Sequence, residues 1–262
     1  MRKILILLMS VICLVLVVNI AFAYEQISVT NGGSISGVVK VAGTVAADDA
    51  TAIDMNKEDC GDTQKADKYI ITGSKVANVV VWLDQVQKGK SLIKGTYPIV
   101  INKCKISPLV GVAYTGGEFT FSNEDKILHT LQLKSGLNFH KKLSSRPLKN
   151  GATVLNLALP KSAAEVKHTI PSYFKISNDR GYISILSNTH SFMRGYVFVF
   201  DHPYAVVTDN AGAFAISDVP AGDYTLKIWH EGFGVMEKKI TVKAGTKVIS
   251  DFIYQTGVEA GI

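Results

Sequence analysis

Short apolar runs, alternating with polar residues or wholly β-branched, recur along this chain between turn-forming residues. The first is GGSISGVVKVAG at residues 32–43, where Ile35, Val38, Val39 and Val41 stand among small or polar neighbours bracketed by glycines, as a strand requires. Residues 44–68 are small, acidic and turn-rich and read as a loop with one short helical turn. VANVVVWL at 76–83 is rich in β-branched valine and predicts a second, well-buried strand. From Pro98 the strands come closely spaced: IVIN, LVGVAY, EFTFSN after Gly116-Gly117, and ILHTLQL. Residues 134–151 are basic and polar and form a long connection, after which TVLNLAL, AEVKHTI, YISIL and YVFVFD resume the pattern. Strands at this spacing with turns between them predict an all-β sandwich or barrel.

Residues 1–23 follow a different pattern. Arg2 and Lys3 precede an apolar run from Ile4 to Ile20, and Ala21-Phe22-Ala23 offers an A-x-A cleavage site, so the stretch reads as a secretory signal with Tyr24 as the mature start. The protein is then exported, periplasmic or extracellular, with no membrane span after cleavage. The alternative is an uncleaved anchor, since the run approaches membrane-spanning length. Cys13 follows Val11-Ile12, where a lipid-acceptor cysteine wants a small residue before it, which argues against lipidation. Loss of the signal leaves two cysteines, and an even pair in an exported chain predicts a Cys60–Cys104 disulfide. Neither CxxC nor CxxCH occurs, so a thiol redox motif and covalent haem are excluded. The positive charge, +6 for the whole chain, is spread out with no basic run, which excludes nucleic acid as a partner. Without G-x-S-x-G, HExxH or a framed pair of carboxylates, the chain reads as no enzyme.

Two groups of motifs carry family resemblances. The tail string TD-x-x-G-x-F…VP-x-G-x-Y-x-L, from Thr208 to Leu226, resembles the carboxypeptidase regulatory-like domain, a transthyretin-like β-sandwich that carries no peptidase residues. SGVV at 36–39 and ANVVVWL at 77–83 match that family's opening strands. The resemblance implies a split sandwich, residues 33–95 plus 201–256, with residues 96–200 inserted; two domains in series is the alternative. Insertion is tolerated where the two ends of a loop lie close together.

The exported region as a whole resembles the cupredoxin-like methylamine utilisation proteins. The resemblance rests on Cys60-Gly61, ANVVVWL, Cys104 with Pro108, the turn from Asn123 to Asp125 before Leu128-His129, the H-x-x-M loop at His190 to Met193, and DHPY…TD…WHE. It implies a cupredoxin-like Greek-key barrel whose copper ligands are a His on an L-H motif, matching His129, and a C-x-x-H-x-x-M loop. Here Ser187 replaces the Cys, and Leu109 and Gln132 stand where relatives carry further histidines. A hydroxyl cannot do the work of a soft thiolate, so any copper bound here is not blue. What survives is a copper set of His129, His190 and Met193, with His140 able to approach from the long connection.

Each of these residues also has a plain structural reading. His129 would be a half-buried strand histidine bonded to a carbonyl, His190 an exposed loop residue, and Met193 with Phe192 a cap on the barrel's apolar end. His202 and His230 are expected at the inter-domain surface, each with a neighbouring carboxylate, Asp201 or Glu231, and His168 is expected to be exposed. The expectation is an exported, non-enzymatic module with a degenerate copper site. Its rival is a metal-free module that binds a protein or glycan partner at the cell envelope, for which Tyr204, Trp229 and Phe233 are the candidate exposed aromatics.

Overall fold

The computed structural model describes residues 23–48, 50–135, 152–161, 164–176 and 181–256. The expected signal and the long connection with His140 lie outside the described residues. The chain is all-β, and its alternation decides which way each strand faces. Along Thr96–Asn102 every second residue is buried, so Tyr97, Ile99 and Ile101 enter one core. Phe119 and Phe121 do the same from Glu118–Asn123, as Leu131 and Leu133 do from His129–Ser135.

Two sheets enclose this core. One runs in the order Lys105–Ser107, Thr96–Asn102, Glu118–Asn123, Val166–Thr169; the other runs Val110–Tyr114, Arg194–Phe200, Ile183–Ser187, His129–Ser135, Ala152–Leu159. Thr96–Asn102 lies parallel to Glu118–Asn123, and Val110–Tyr114 lies parallel to Arg194–Phe200. Parallel neighbours cannot be joined by tight hairpins, so the chain crosses repeatedly between the sheets. Gly111 is required where the sheets meet, because a Cβ there would lie 2.0 Å from the Tyr97 hydroxyl.

Strands from either side of this barrel pair with one another. Gly33–Ala42 is antiparallel to Ala213–Val219 and parallel to Lys247–Ile249 and Phe252–Gln255. Val80–Asp84 lies between Ala205–Val207 and Gly222–His230, with Gly234–Val242 beyond. Ile35, Val39, Val81, Leu83, Ile228 and Phe252 fill the space between these two sheets. A third cluster joins barrel to sandwich: the Trp82 ring lies 5.8 Å from Phe198 and 6.0 Å from Phe200, with Val80, Val110 and Trp229 around them.

Residues 44–68 hold more structure than a loop with a helical turn. Ala50–Ala52 and Thr63–Lys65 form a ribbon around the short helix Lys57–Cys60. Ile53 and Cys60 are buried in the barrel core, so this segment packs with the barrel although the expected boundary at residue 95 groups it with the sandwich. Its apolar residue and its cysteine have their partners there. Among the described residues no helix is long and apolar enough to cross a membrane.

Candidate metal centre

His129 opens its strand fully buried, and its Nε2 donates to Asp125 Oδ2 at 2.9 Å. The same carboxylate accepts the backbone N–H groups of Lys103 at 2.6 Å and Cys104 at 2.8 Å. Those two residues form a tight turn with φ of 50° and 56°, a conformation that a non-glycine residue adopts only with support. Asp125 is in turn placed by Asn123, whose Oδ1 accepts the Asp125 N–H and whose amide donates to the carbonyls of Ile127 and Leu159. One carboxylate thus fixes both the turn and the tautomer of His129. Its Nδ1 is left bare, buried and without a hydrogen-bond partner among the described residues.

His190 repeats the arrangement from the opposite side. It is 3% exposed, and its Nε2 lies 3.1 Å from Asn56 Oδ1, an acceptor, so Nδ1 is again bare and buried. The rings of His129 and His190 lie 5.2 Å apart, centroid to centroid. Burial, together with the neighbouring His129, pushes the His190 pKa down, against a weaker pull upward from Asp125 and Asp54.

The loop that carries His190 closes on itself. The Met193 N–H donates to the His190 carbonyl at 2.9 Å, and the Ser187 N–H donates to the Met193 carbonyl at 3.2 Å. Ser187 Oγ accepts the N–H of His190 at 3.0 Å and of Thr189 at 3.3 Å. At the expected thiolate position the hydroxyl therefore serves as a turn cap. Met193 is buried, in the same apolar cluster as Cys60, Cys104 and Leu131.

The Cys60–Cys104 disulfide is present and lies against this centre, with Cys60 Sγ 3.9 Å from His190 Nε2. Cys104, Asp125 and His129 also present donor atoms within 4.8 Å of one another. While Cys104 is tied up in the disulfide it has no thiolate, and the Asp125 oxygens already accept three N–H groups. That trio is therefore a poor metal site as it stands. The bare Nδ1 atoms and the buried thioether are the other candidate donors.

Asp125 and Asn56 were not among the expected site residues. The turn at Asn123 to Asp125 was visible four residues ahead of His129, whereas nothing local marks Asn56. Leu109 and Gln132 are half-buried and supply no imidazole. Other expectations are corrected. His202 is 5% exposed and its Nδ1 accepts the Tyr204 N–H at 3.2 Å; His230 is 1% exposed and its Nδ1 accepts the Gly232 N–H at 3.1 Å. Asp201 pairs with Lys175 and Glu231 with Arg194, so neither carboxylate serves its neighbouring histidine. Tyr204 and Trp229 are buried, Phe233 is half-buried, and His168 is half-buried near Phe174 instead of exposed.

Residues 179–249 match the family model of polysaccharide lyase family 4, domain II, which is not the family expected for the sandwich. The stretch covers a minority of the chain and runs from the last barrel strands into the sandwich. Solved structures similar to parts of the chain include a reduced-state amicyanin variant, with TM-score 0.28 and 17% identity over 42% of this chain and 86% of that one. A purple cupredoxin from Nitrosopumilus maritimus has TM-score 0.27 and 17% identity over 39% of this chain and 97% of its own. The Cu-containing nitrite reductase from Thermus scotoductus SA-01 has TM-score 0.28 and 15% identity, covering 44% of this chain and 24% of the enzyme. A comparison with curated proteins finds no match.

Proposed function

We propose that this is an exported, non-enzymatic, cupredoxin-like module that holds copper through His129, His190 and Met193, with Ser187 in place of a thiolate. The observation that carries this reading is the pair of buried histidines whose Nδ1 atoms are both bare while their Nε2 atoms are committed to Asp125 and Asn56. A buried polar atom left unpaired costs about 1–3 kcal/mol, which a cation held by His129 and His190 would offset. Orientation of a ligating imidazole through its other nitrogen is a recurrent way to fix tautomer and direction. Two imidazoles and a thioether suit Cu(I), or Cu(II) with solvent completing the shell. Copper so held supplies a redox-active ion without the thiolate charge-transfer band that colours blue copper. On this reading the module sits in the split regulatory-like sandwich at the cell envelope, where it meets a protein or glycan partner.

The test is a competition titration of the oxidised protein with Cu(I) against a chromophoric chelator. One equivalent should bind, His190→Ala and Met193→Leu should each weaken it by at least about tenfold, and the Cu(II) form should lack intense orange-red absorbance. Unchanged affinity in the His129→Ala, His190→Ala double variant would sink the reading. So would an intensely blue native protein.

The match to a polysaccharide lyase domain favours a second reading, a metal-free module that binds a carbohydrate. Burial of Tyr204 and Trp229 removes two of the three surfaces on which a sugar ring would stack. Polysaccharide retention that persists in chelator and in the histidine double variant, with no copper bound by the native protein, would select this reading.

A further inference from the structure

We propose that reduction of the Cys60–Cys104 disulfide creates a second metal site, a Cys2His2 set of Cys60, Cys104, His129 and His190 that takes zinc or a similar thiophilic divalent cation. Each sulfur lies near one of the two imidazoles. Cys60 Sγ is 3.9 Å from His190 Nε2, and Cys104 Sγ falls within 4.8 Å of a ring nitrogen of His129 and of the Asp125 carboxylate. A tetrahedral zinc ion with bonds of about 2.3 Å to sulfur and about 2.0 Å to nitrogen wants neighbouring donors roughly 3.3–3.8 Å apart. The disulfide holds its two sulfurs closer than that, and breaking it lets them separate to flank the ion.

The surroundings suit such a change. All four residues are at least 96% buried, so an ion there is shielded from competing water. Cys60 ends a helix of four residues and is followed by Gly61, at φ 82° with open space around it, so the segment has room to shift. Cys104 stays anchored, because its N–H is held by Asp125. Two thiolates and two imidazoles in a tetrahedral set select zinc over hard cations.

The chemistry balances with an external dithiol as reductant. The dithiol gives two electrons and two protons and becomes a disulfide, while Cys60 and Cys104 become thiols. Metal entry then displaces the two thiol protons, and each ligating Nε2 gives up its hydrogen bond to Asp125 or Asn56 as its proton passes to the bare Nδ1 of the same ring. The site shares its imidazoles with the copper reading but uses neither Met193 nor the Nδ1 atoms as ligands. Each reading can therefore fail alone: Met193→Leu tests only copper in the oxidised protein, and Cys60→Ser only the reduced site.

The whole protein should be titrated anaerobically with Co(II), before reduction and again after treatment with a phosphine and desalting. The oxidised form should show no thiolate-to-cobalt charge transfer. The reduced form should bind one equivalent with that band and a tetrahedral ligand-field spectrum, both abolished by one equivalent of zinc. Zinc should also slow alkylation of the two thiols by at least about tenfold, a readout that needs no variant. Cys60→Ser and His190→Gln should each remove or strongly weaken the band. A reduced native protein without the band, a band intact in His190→Gln, or unfolding on reduction even with zinc present would each overturn the proposal.

Discussion

Acidification from pH 7.5 to 5 should destabilise the protein largely through two histidines outside the metal centre. His202 packs among the rings of Tyr24, Phe200 and Tyr204, and His230 stacks on Phe233 with centroids 4.7 Å apart. In each, Nδ1 accepts a backbone N–H, which can only donate, so that nitrogen carries no proton and the ring is neutral. Burial pushes both pKa values down to about 4 from the ordinary 6.5, more strongly than Asp201 and Asp84 raise the one or Asp48 the other. Between those values the unfolded chain binds more protons than the native one. The contribution is therefore complete above about pH 6.5 and is lost as pH falls toward 4. At pH 5 each histidine should have given up about 2 kcal/mol, and the two together about 4, against a typical total of about 5–15. Urea midpoints in chelator at the two pH values measure the loss. In His202→Asn, His230→Asn the amide oxygen can still accept the N–H but does not titrate, so this variant should lose about 4 kcal/mol less than the native protein on acidification. An equal loss in both would refute the assignment.

Other substitutions test single contacts. The Tyr97 hydroxyl is buried with no partner among the described residues, so Tyr97→Phe should stabilise the fold by about 1 kcal/mol in urea melts. Asp125→Ala strips three N–H groups of their acceptor and should cost about 3–5 kcal/mol, while metal affinity falls about 10- to 100-fold in the same titration used for copper. Residues 201–262 expressed alone lack Gly33–Ala42 and Val80–Asp84, the central partners of their strands, and should show neither a cooperative thermal transition nor dispersed amide signals.

What could be read in advance follows the range of the interactions. Period-two alternation is local, and nearly every barrel strand was legible from it; Lys105–Ser107 is too short to alternate. The H-x-x-M spacing is local too, so the loop that brings His190 and Met193 to the centre was visible. Asn56 was not, because it meets His190 across 134 residues and lies in a left-handed conformation that no neighbouring pattern announces. The carboxylates beside His202 and His230 misled for a physical reason. Both pairs sit where a strand ends in a bend or turn, and there Asp201 and Glu231 pair with Lys175 and Arg194 instead of the adjacent histidine. Aromatic content alone likewise did not separate Trp229, which seals the barrel–sandwich junction, from a surface ring.

The pairing of Val38 with Ala213 also sets a clock. The partner strand lies about 175 residues downstream, and at about 5–20 residues per second it follows roughly 9–35 seconds later. Until then Gly33–Ala42 is paired only near Lys40, by Lys75–Val76, and the rest of both edges is open, a template for pairing with other chains. The barrel strands from Thr96 to Phe200 are all available sooner, so assembly should run from the inside outward. Limited proteolysis of chains halted after residue 200 should find the barrel protected and residues 33–42 cut; protection of both would refute that order. A substitution that delays barrel closure would then do its damage elsewhere, by lengthening the time the first strand waits.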